Sequence, residues 1–126
     1  MKYIGKKEVK AIPMTANEAV QKGYKVGNHE NEDGYEVEYN DGYKSWSPKQ
    51  VFDDSYRVAG TFLDRLKIEN EELSWRIIKL NDFINSEAFA NLGSDDRTLL
   101  EEQRGIMYSY KRVLEERITK ASGNNA

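Results

Sequence analysis

Cysteine is absent from the 126 residues and histidine occurs once. The first absence excludes a disulfide framework and a thiolate metal site, and suits a reducing cytoplasm. The one imidazole, His29, sits in a polar loop with acids around it but no second imidazole or thiol nearby in sequence, so it reads as a surface residue and not a metal ligand. No apolar run approaches the roughly 18 residues that a membrane span needs, and no signal peptide is recognisable, so a protein that is neither membrane-embedded nor secreted is expected. Phosphate-loop, dinucleotide-fold and nucleophile-elbow glycine motifs are missing too. The paired acids Asp53-Asp54 and Asp95-Asp96 are adjacent in sequence and point two ways on a helix, which suits helix-dipole and capping roles better than acid–base work. An enzyme is therefore not expected, and no cofactor is implied. A formal charge of −3 argues against coating duplex nucleic acid. A local basic pocket is still allowed: Lys79, Arg97, Arg104, Lys111, Arg112 and Arg117 lie on one stretch, mixed with acids as on a solvated face with i,i+4 ion pairs.

What the chain does hold is helical periodicity over residues 61–119. Leu66, Leu73, Ile77, Leu80 and Ile84 recur at steps of 7, 4, 3 and 4, which sets them on one face of a helix. Leu100, Met107 and Leu114 follow at steps of 7, with Leu99, Ile106, Tyr110, Val113 and Ile118 widening the stripe. The spacing predicts two long antiparallel helices, each a rod of roughly 36 Å, folded back around residues 89–96. Gly93 is expected to stop the first helix in a left-handed conformation, Ser94 to cap the second, and Asp95 and Asp96 to meet its dipole. Rods of this length on a chain with little other core predict an oligomer.

Residues 1–60 follow another grammar. Val9, Ala11 and Pro13-Met14 suggest a strand broken at proline, and Thr15-Ala16-Asn17-Glu18 is a capping box for a two-turn helix ending at Gly23. Tyr35, Val37 and Tyr39 alternate with Glu36 and Glu38, Asn40-Asp41-Gly42 turns the chain, and Tyr43-Lys44-Ser45-Trp46 returns it. Ser47-Pro48-Lys49-Gln50 then predicts a short helix with serine as cap and proline at its first position. Residues 27–34 read as an exposed, mobile loop. The fold class is α+β: a small β-rich domain at 1–60 with an antiparallel sheet and short helices, a long helical hairpin at 61–119, and a disordered tail at 120–126.

Two stretches carry a resemblance. Residues 43–52, Tyr-Lys-Ser-Trp-Ser-Pro-Lys-Gln-Val-Phe, continuing to Tyr56-Arg57, resemble a motif of small tailed-phage proteins that include the first Thoeris anti-defence family. Lys79-Leu80, Phe83-Ile84, Ser86, Phe89 and Leu92, then Leu100, Gln103, Met107, Tyr110, Leu114 and Arg117-Ile118, resemble the hairpin domain which that family shares with the second anti-CBASS family. Asp53 and Ser55 stand where glutamate and alanine are common. The resemblance implies a phage-encoded sponge in the cytoplasm of the infected cell. Such a sponge holds cyclic ADP-ribose-type immune signals, in some relatives cyclic di- or trinucleotides, without cleaving them, and it works as a homo-oligomer, dimer or hexamer, with pockets shared between protomers.

A cyclic ADP-ribose offers an adenine to stack on, two phosphates and several hydroxyls. Phe83 is the candidate platform for the base, or else a core residue that closes the hairpin. Lys79, one turn earlier, is placed to meet phosphate, and Asn91 in the turn to hydrogen-bond ribose or simply to turn the chain. Arg57, Arg112 and Arg117 are the guanidinium candidates. Tyr108 is a candidate for an apolar wall with Met107 and Tyr110, which are more simply core. Trp46 reads as an anchor of the sheet on the hairpin, and Gly105 inside the second helix as the mark of a close crossing or a ligand. The rival readings are a hairpin adaptor that binds another protein and an enzyme that degrades a nucleotide signal; the second lacks a recognisable general base.

Overall fold

The computed structural model describes residues 1–123 and divides into two compact units, Met1–Arg57 and Val58–Ala126. Both are of the expected kinds, a three-stranded antiparallel sheet with short helices and a long helical hairpin.

In the first unit β1 (Lys10–Pro13) and β3 (Lys44–Pro48) flank β2 (Gly34–Glu38). The register sets Ala11 opposite Val37 and Val37 opposite Ser45. Between β1 and β2 lies α1 (Ala16–Gln21), opened by the expected capping box: the Thr15 hydroxyl accepts from the Glu18 amide while the Glu18 carboxylate accepts from the Thr15 amide. Gly23, just past the helix, takes a positive φ of 92°. Met14, Ala16, Ala19 and Val37 are the buried apolar residues here, a small core for a sheet and two helices.

Packing at Gly34 and Trp46 makes up for that. A Cβ on Gly34 would collide with the Ser47 carbonyl oxygen and lie 2.5 Å from the Trp46 ring. Only glycine lets the indole close over β2, where its N–H donates to the Met14 carbonyl at 2.8 Å. Trp46 is thus an anchor inside the sheet unit. On α2 (Lys49–Ser55) Phe52 stacks between Tyr35, at 4.4 Å, and Tyr56, at 4.9 Å. The start of α2 departs from expectation. β3 runs on to Pro48, which becomes the N-cap with no side-chain hydrogen bond, because Gly34 and Tyr35 pair with Pro48 and Ser47 and hold them extended. Asp53 serves as the i+4 partner of Lys49 at 2.6 Å rather than as a cap. Gly34, too, belongs to β2 and not to a loop.

The second unit opens with a capping box the periodicity alone did not mark, Thr61 with Asp64, at the head of α3 (Phe62–Ile84). Thr-x-x-Asp was there to be read. The connection is more structured than a turn: Asn85 ends α3, Ser86 caps the four-residue α4 (Glu87–Ala90), and α5 (Ser94–Ala121) follows. Gly93 has a φ of −61° and serves as N-cap of α5, so the expected left-handed stop and serine cap are both corrected; α3 had already ended before α4. Asp95 and Asp96 do lie in the first turn of α5. Lys120 and Ala121 remain helical, which shortens the expected tail, and residues 124–126 lie outside the described residues.

Leu66, Leu73, Ile77, Met107 and Leu114 form the hairpin core, with Leu80 and Ile118 packed against it. The heptad-like steps selected all of these but Ile118; Ile84 and Leu100, which they also selected, are half-buried and lie outside the cluster. The widened part of the α5 stripe is different: Leu99 and Ile106 are 62% and 61% exposed, and Tyr110 and Val113 are exposed as well. Tyr110 is therefore not core. One antiparallel neighbour is too narrow to cover so wide a stripe. No helix among the described residues is long and apolar enough to cross a membrane.

Candidate functional site

The hairpin has two unlike edges, and cross-helix contacts identify them. On one edge Asn81 of α3 donates through Nδ2 to the Tyr108 hydroxyl at 2.8 Å and accepts at Oδ1 from Arg104 Nη1 at 3.4 Å. Further along, Lys111 Nζ donates to Ser74 Oγ at 2.9 Å. Helical spacing sets Arg97, Arg104 and Lys111 on this edge at steps of seven. On the other edge lie the exposed Leu99, Ile106, Tyr110 and Val113 of α5, and near the open end of the hairpin the Arg117 guanidinium sits over the Phe62 ring at 5.7 Å.

The sequence-derived candidates on the hairpin do not converge within it. Phe83 lies at the closed end, partly exposed, with its ring edge-on to the buried Phe89 at 6.2 Å. Lys79 is exposed one turn earlier on the same face of α3, and Asn91 is the exposed C-cap of α4 at the same end. These three form one group. Arg112 is not in it: the Ser74–Lys111 contact sets it level with the middle of α3, about 15 Å from Phe83 along the axis at 1.5 Å per residue. It is also exposed and paired with Glu116 at 3.3 Å. Arg117 is farther still, at the Phe62 end. Arg57 belongs to the first unit. Phe83 and Arg112 of one hairpin are thus set apart along its axis and not side by side.

Two role assignments are corrected. Tyr108 stands on the polar edge with its hydroxyl bonded to Asn81, not in an apolar wall. A Cβ on Gly105 would meet nothing within 4 Å, so among the described residues no helix crosses closely there, and of the two readings of this glycine the ligand one is left. The solvated-face reading holds for Lys111, which pairs with Glu115 at 2.7 Å, and for Arg112. It fails for Arg97 and Arg104, which are partly buried and, among the described residues, paired with no carboxylate. Arg97 Nε is sealed from solvent without an acceptor, and Asn70 Oδ1 is sealed without a donor. Asn81 escaped the sequence reading altogether, since an asparagine beside the core stripe looks like any polar flank.

His29 is half exposed and pairs with Glu32 at 2.8 Å. Shallow clefts mark the sheet unit, one of about 460 Å³ between Lys7, Tyr39 and Tyr43, another of about 360 Å³ between Glu32, Lys49 and Asp53. The Tyr24 hydroxyl donates to Glu36 at 2.8 Å, and that bond chiefly holds the Glu36 carboxyl below its ordinary range and raises the Tyr24 phenol. The Asp53 carboxylate raises Lys49 in the same way. The first pair is part-buried and the second exposed, and both have structural explanations.

Residues 60–120 match the model of the Sequestin family, a span that takes in α3, all of α5 but its last residue, and every candidate residue except Arg57. No curated protein and no solved structure matches the chain.

Proposed function

We propose that the protein sequesters a small nucleotide immune signal, a cyclic ADP-ribose isomer or a cyclic di- or trinucleotide, and returns it unchanged. The observation that carries this reading is the Sequestin match over residues 60–120, a family whose name denotes sequestration, on the stretch that resembles the anti-defence hairpin. The phage-protein motif around Trp46 supports the Thoeris-directed form of it. Because one hairpin keeps Phe83, Lys79 and Asn91 apart from Arg112 and Arg117, a complete pocket needs a second copy. The exposed α5 edge of Leu99, Ile106, Tyr110 and Val113 supplies an apolar surface for that copy to cover. The same edge favours one second reading, a hairpin adaptor whose partner is another protein.

Light scattering together with a thermal-shift screen against cyclic nucleotides separates these readings, since a ligand that binds only the folded state raises its midpoint by mass action. The expected result is an assembly larger than a monomer, a raised midpoint with at least one cyclic nucleotide, and recovery of that nucleotide intact by mass spectrometry after heat release. A monomer of 14.6 kDa overturns the shared pocket. No response to any cyclic nucleotide favours the adaptor, and a linear or hydrolysed product favours an enzyme.

A further inference from the structure

The polar edge of the hairpin holds something the candidates from sequence did not include. Arg97 and Arg104 are two turns apart on α5, about 10 Å along the axis, with Tyr108 one turn beyond Arg104. Both residues are partly buried. Their neighbours Lys111 and Arg112 each have a glutamate four residues on, but no carboxylate among the described residues pairs with Arg97 or Arg104. Enclosing an unpaired cation is costly, and buried polar groups in folded proteins nearly always have partners, so the partly buried Arg97, whose Nε is sealed without an acceptor, leaves its terminal guanidinium nitrogens to meet an anion.

Asn81 decides what chemistry the edge presents. Its Oδ1 accepts from Arg104, which can only donate, and this turns Nδ2 toward Tyr108. The Tyr108 oxygen therefore accepts from Asn81, and its own proton is left to donate outward. Two guanidiniums and one phenol O–H on a single edge, all donors, define an acceptor for an anion with more than one oxygenated centre.

We infer that Arg97, Arg104 and Tyr108 form a phosphate clamp for a ligand with two neighbouring phosphates, with Asn81 as the positioning residue. Arginine side chains spaced in this way reach a common diphosphate from either end, and their fork geometry suits bidentate contact with phosphate oxygens. The clamp rests on the sequestration reading for its ligand and adds to it by locating the phosphates on the Asn81 edge of the hairpin.

The test uses the full chain with Arg97→Gln, Arg104→Gln, Tyr108→Phe and, as a charge-matched control, Arg76→Gln on α3. Affinity for a cyclic ADP-ribose isomer is measured at low ionic strength beside the ligand-free thermal midpoint. Either arginine variant is expected to lose tenfold or more in affinity with an unchanged or raised midpoint, Tyr108→Phe to lose severalfold, and the control to bind as the parent does. Arginine variants that bind like the parent, or that lower the midpoint while keeping affinity, overturn the clamp and make these residues structural. Inorganic pyrophosphate serves as a second probe that needs no base. If the parent binds no cyclic nucleotide, the sequestration reading falls while the clamp is still decided: midpoint protection by pyrophosphate that disappears in the arginine variants supports it, and the absence of protection in the parent overturns it.

Discussion

The sheet unit and the hairpin are held together by different means. In the sheet unit the buried apolar residues are Met14, Ala16, Ala19 and Val37, two of them alanines, and much of the order comes from single fits: a capping box, the Trp46 indole on the Met14 carbonyl, an aromatic stack, the Tyr24–Glu36 bond. The hairpin is held by one continuous row of leucine, isoleucine and methionine, and its specific polar contacts line an edge beside that row. Stability in the first is spread over fits that each depend on geometry; in the second it is concentrated in volume. Substitutions of the two kinds should therefore fail differently.

The largest effect is expected at Leu114, which is fully buried at the centre of the hairpin core. Leu114→Ala removes its transfer free energy and leaves a cavity, a loss of about 2 to 5 kcal/mol. Leu99→Ala, on the exposed edge of the same helix, should stay within about 0.5 kcal/mol in the monomer. Denaturant unfolding followed by far-ultraviolet dichroism measures both. A similar cost at the two positions would mean that the exposed edge is core in solution, covered by another copy.

Gly34→Ala breaks the sheet unit by addition instead of removal. The new Cβ meets the Ser47 carbonyl and the Trp46 ring, and since the carbonyl belongs to paired backbone the ladder itself must yield. Overpacking of this sort costs about 1 to 3 kcal/mol. The Trp46 indole N–H resonance should shift as its bond to Met14 loosens, while resonances of the hairpin core stay in place. An unmoved indole signal would show that the fit is looser than its geometry implies.

The same contrast explains what could be read in the sequence. Leu66, Leu73, Ile77, Met107 and Leu114 were legible because periodicity reports a face many times over, and the Thr15 capping box because its partner is three residues away. Trp46 was recognisable as an anchor, but not its seat on Gly34, because no spacing rule links a glycine to an indole twelve residues later. Gly93 was misread since a glycine between helices serves equally as a C-terminal stop or an N-cap, and α4 decides which. At the candidate site, residue type suggested arginines, yet Arg97 and Arg112 each have a glutamate four residues on, and only the structure shows Arg112 paired with its glutamate and Arg97 Nε left without an acceptor.

The smallest effect concerns pH and belongs to the sheet unit alone. The Tyr24 hydroxyl chiefly holds the Glu36 carboxyl below its ordinary value, with Lys22 and Lys44 adding to the shift and burial opposing it. A depressed carboxyl contributes stability that is present above its unfolded pKa and lost as pH falls through the folded one. The same bond, with burial second, raises the Tyr24 phenol, whose contribution is present below the unfolded tyrosine pKa and lost as pH rises through the folded value. Glu36→Gln keeps an oxygen for Tyr24 to donate to but removes the charge, so it should flatten the acid limb of the sheet unit's stability and weaken the alkaline one. Following the Trp46 indole and a hairpin-core methyl through parallel pH titrations separates the units. The acid transition of the indole should move on substitution and that of the methyl should not. An indole transition that keeps its position in Glu36→Gln would assign the acid sensitivity to another carboxylate.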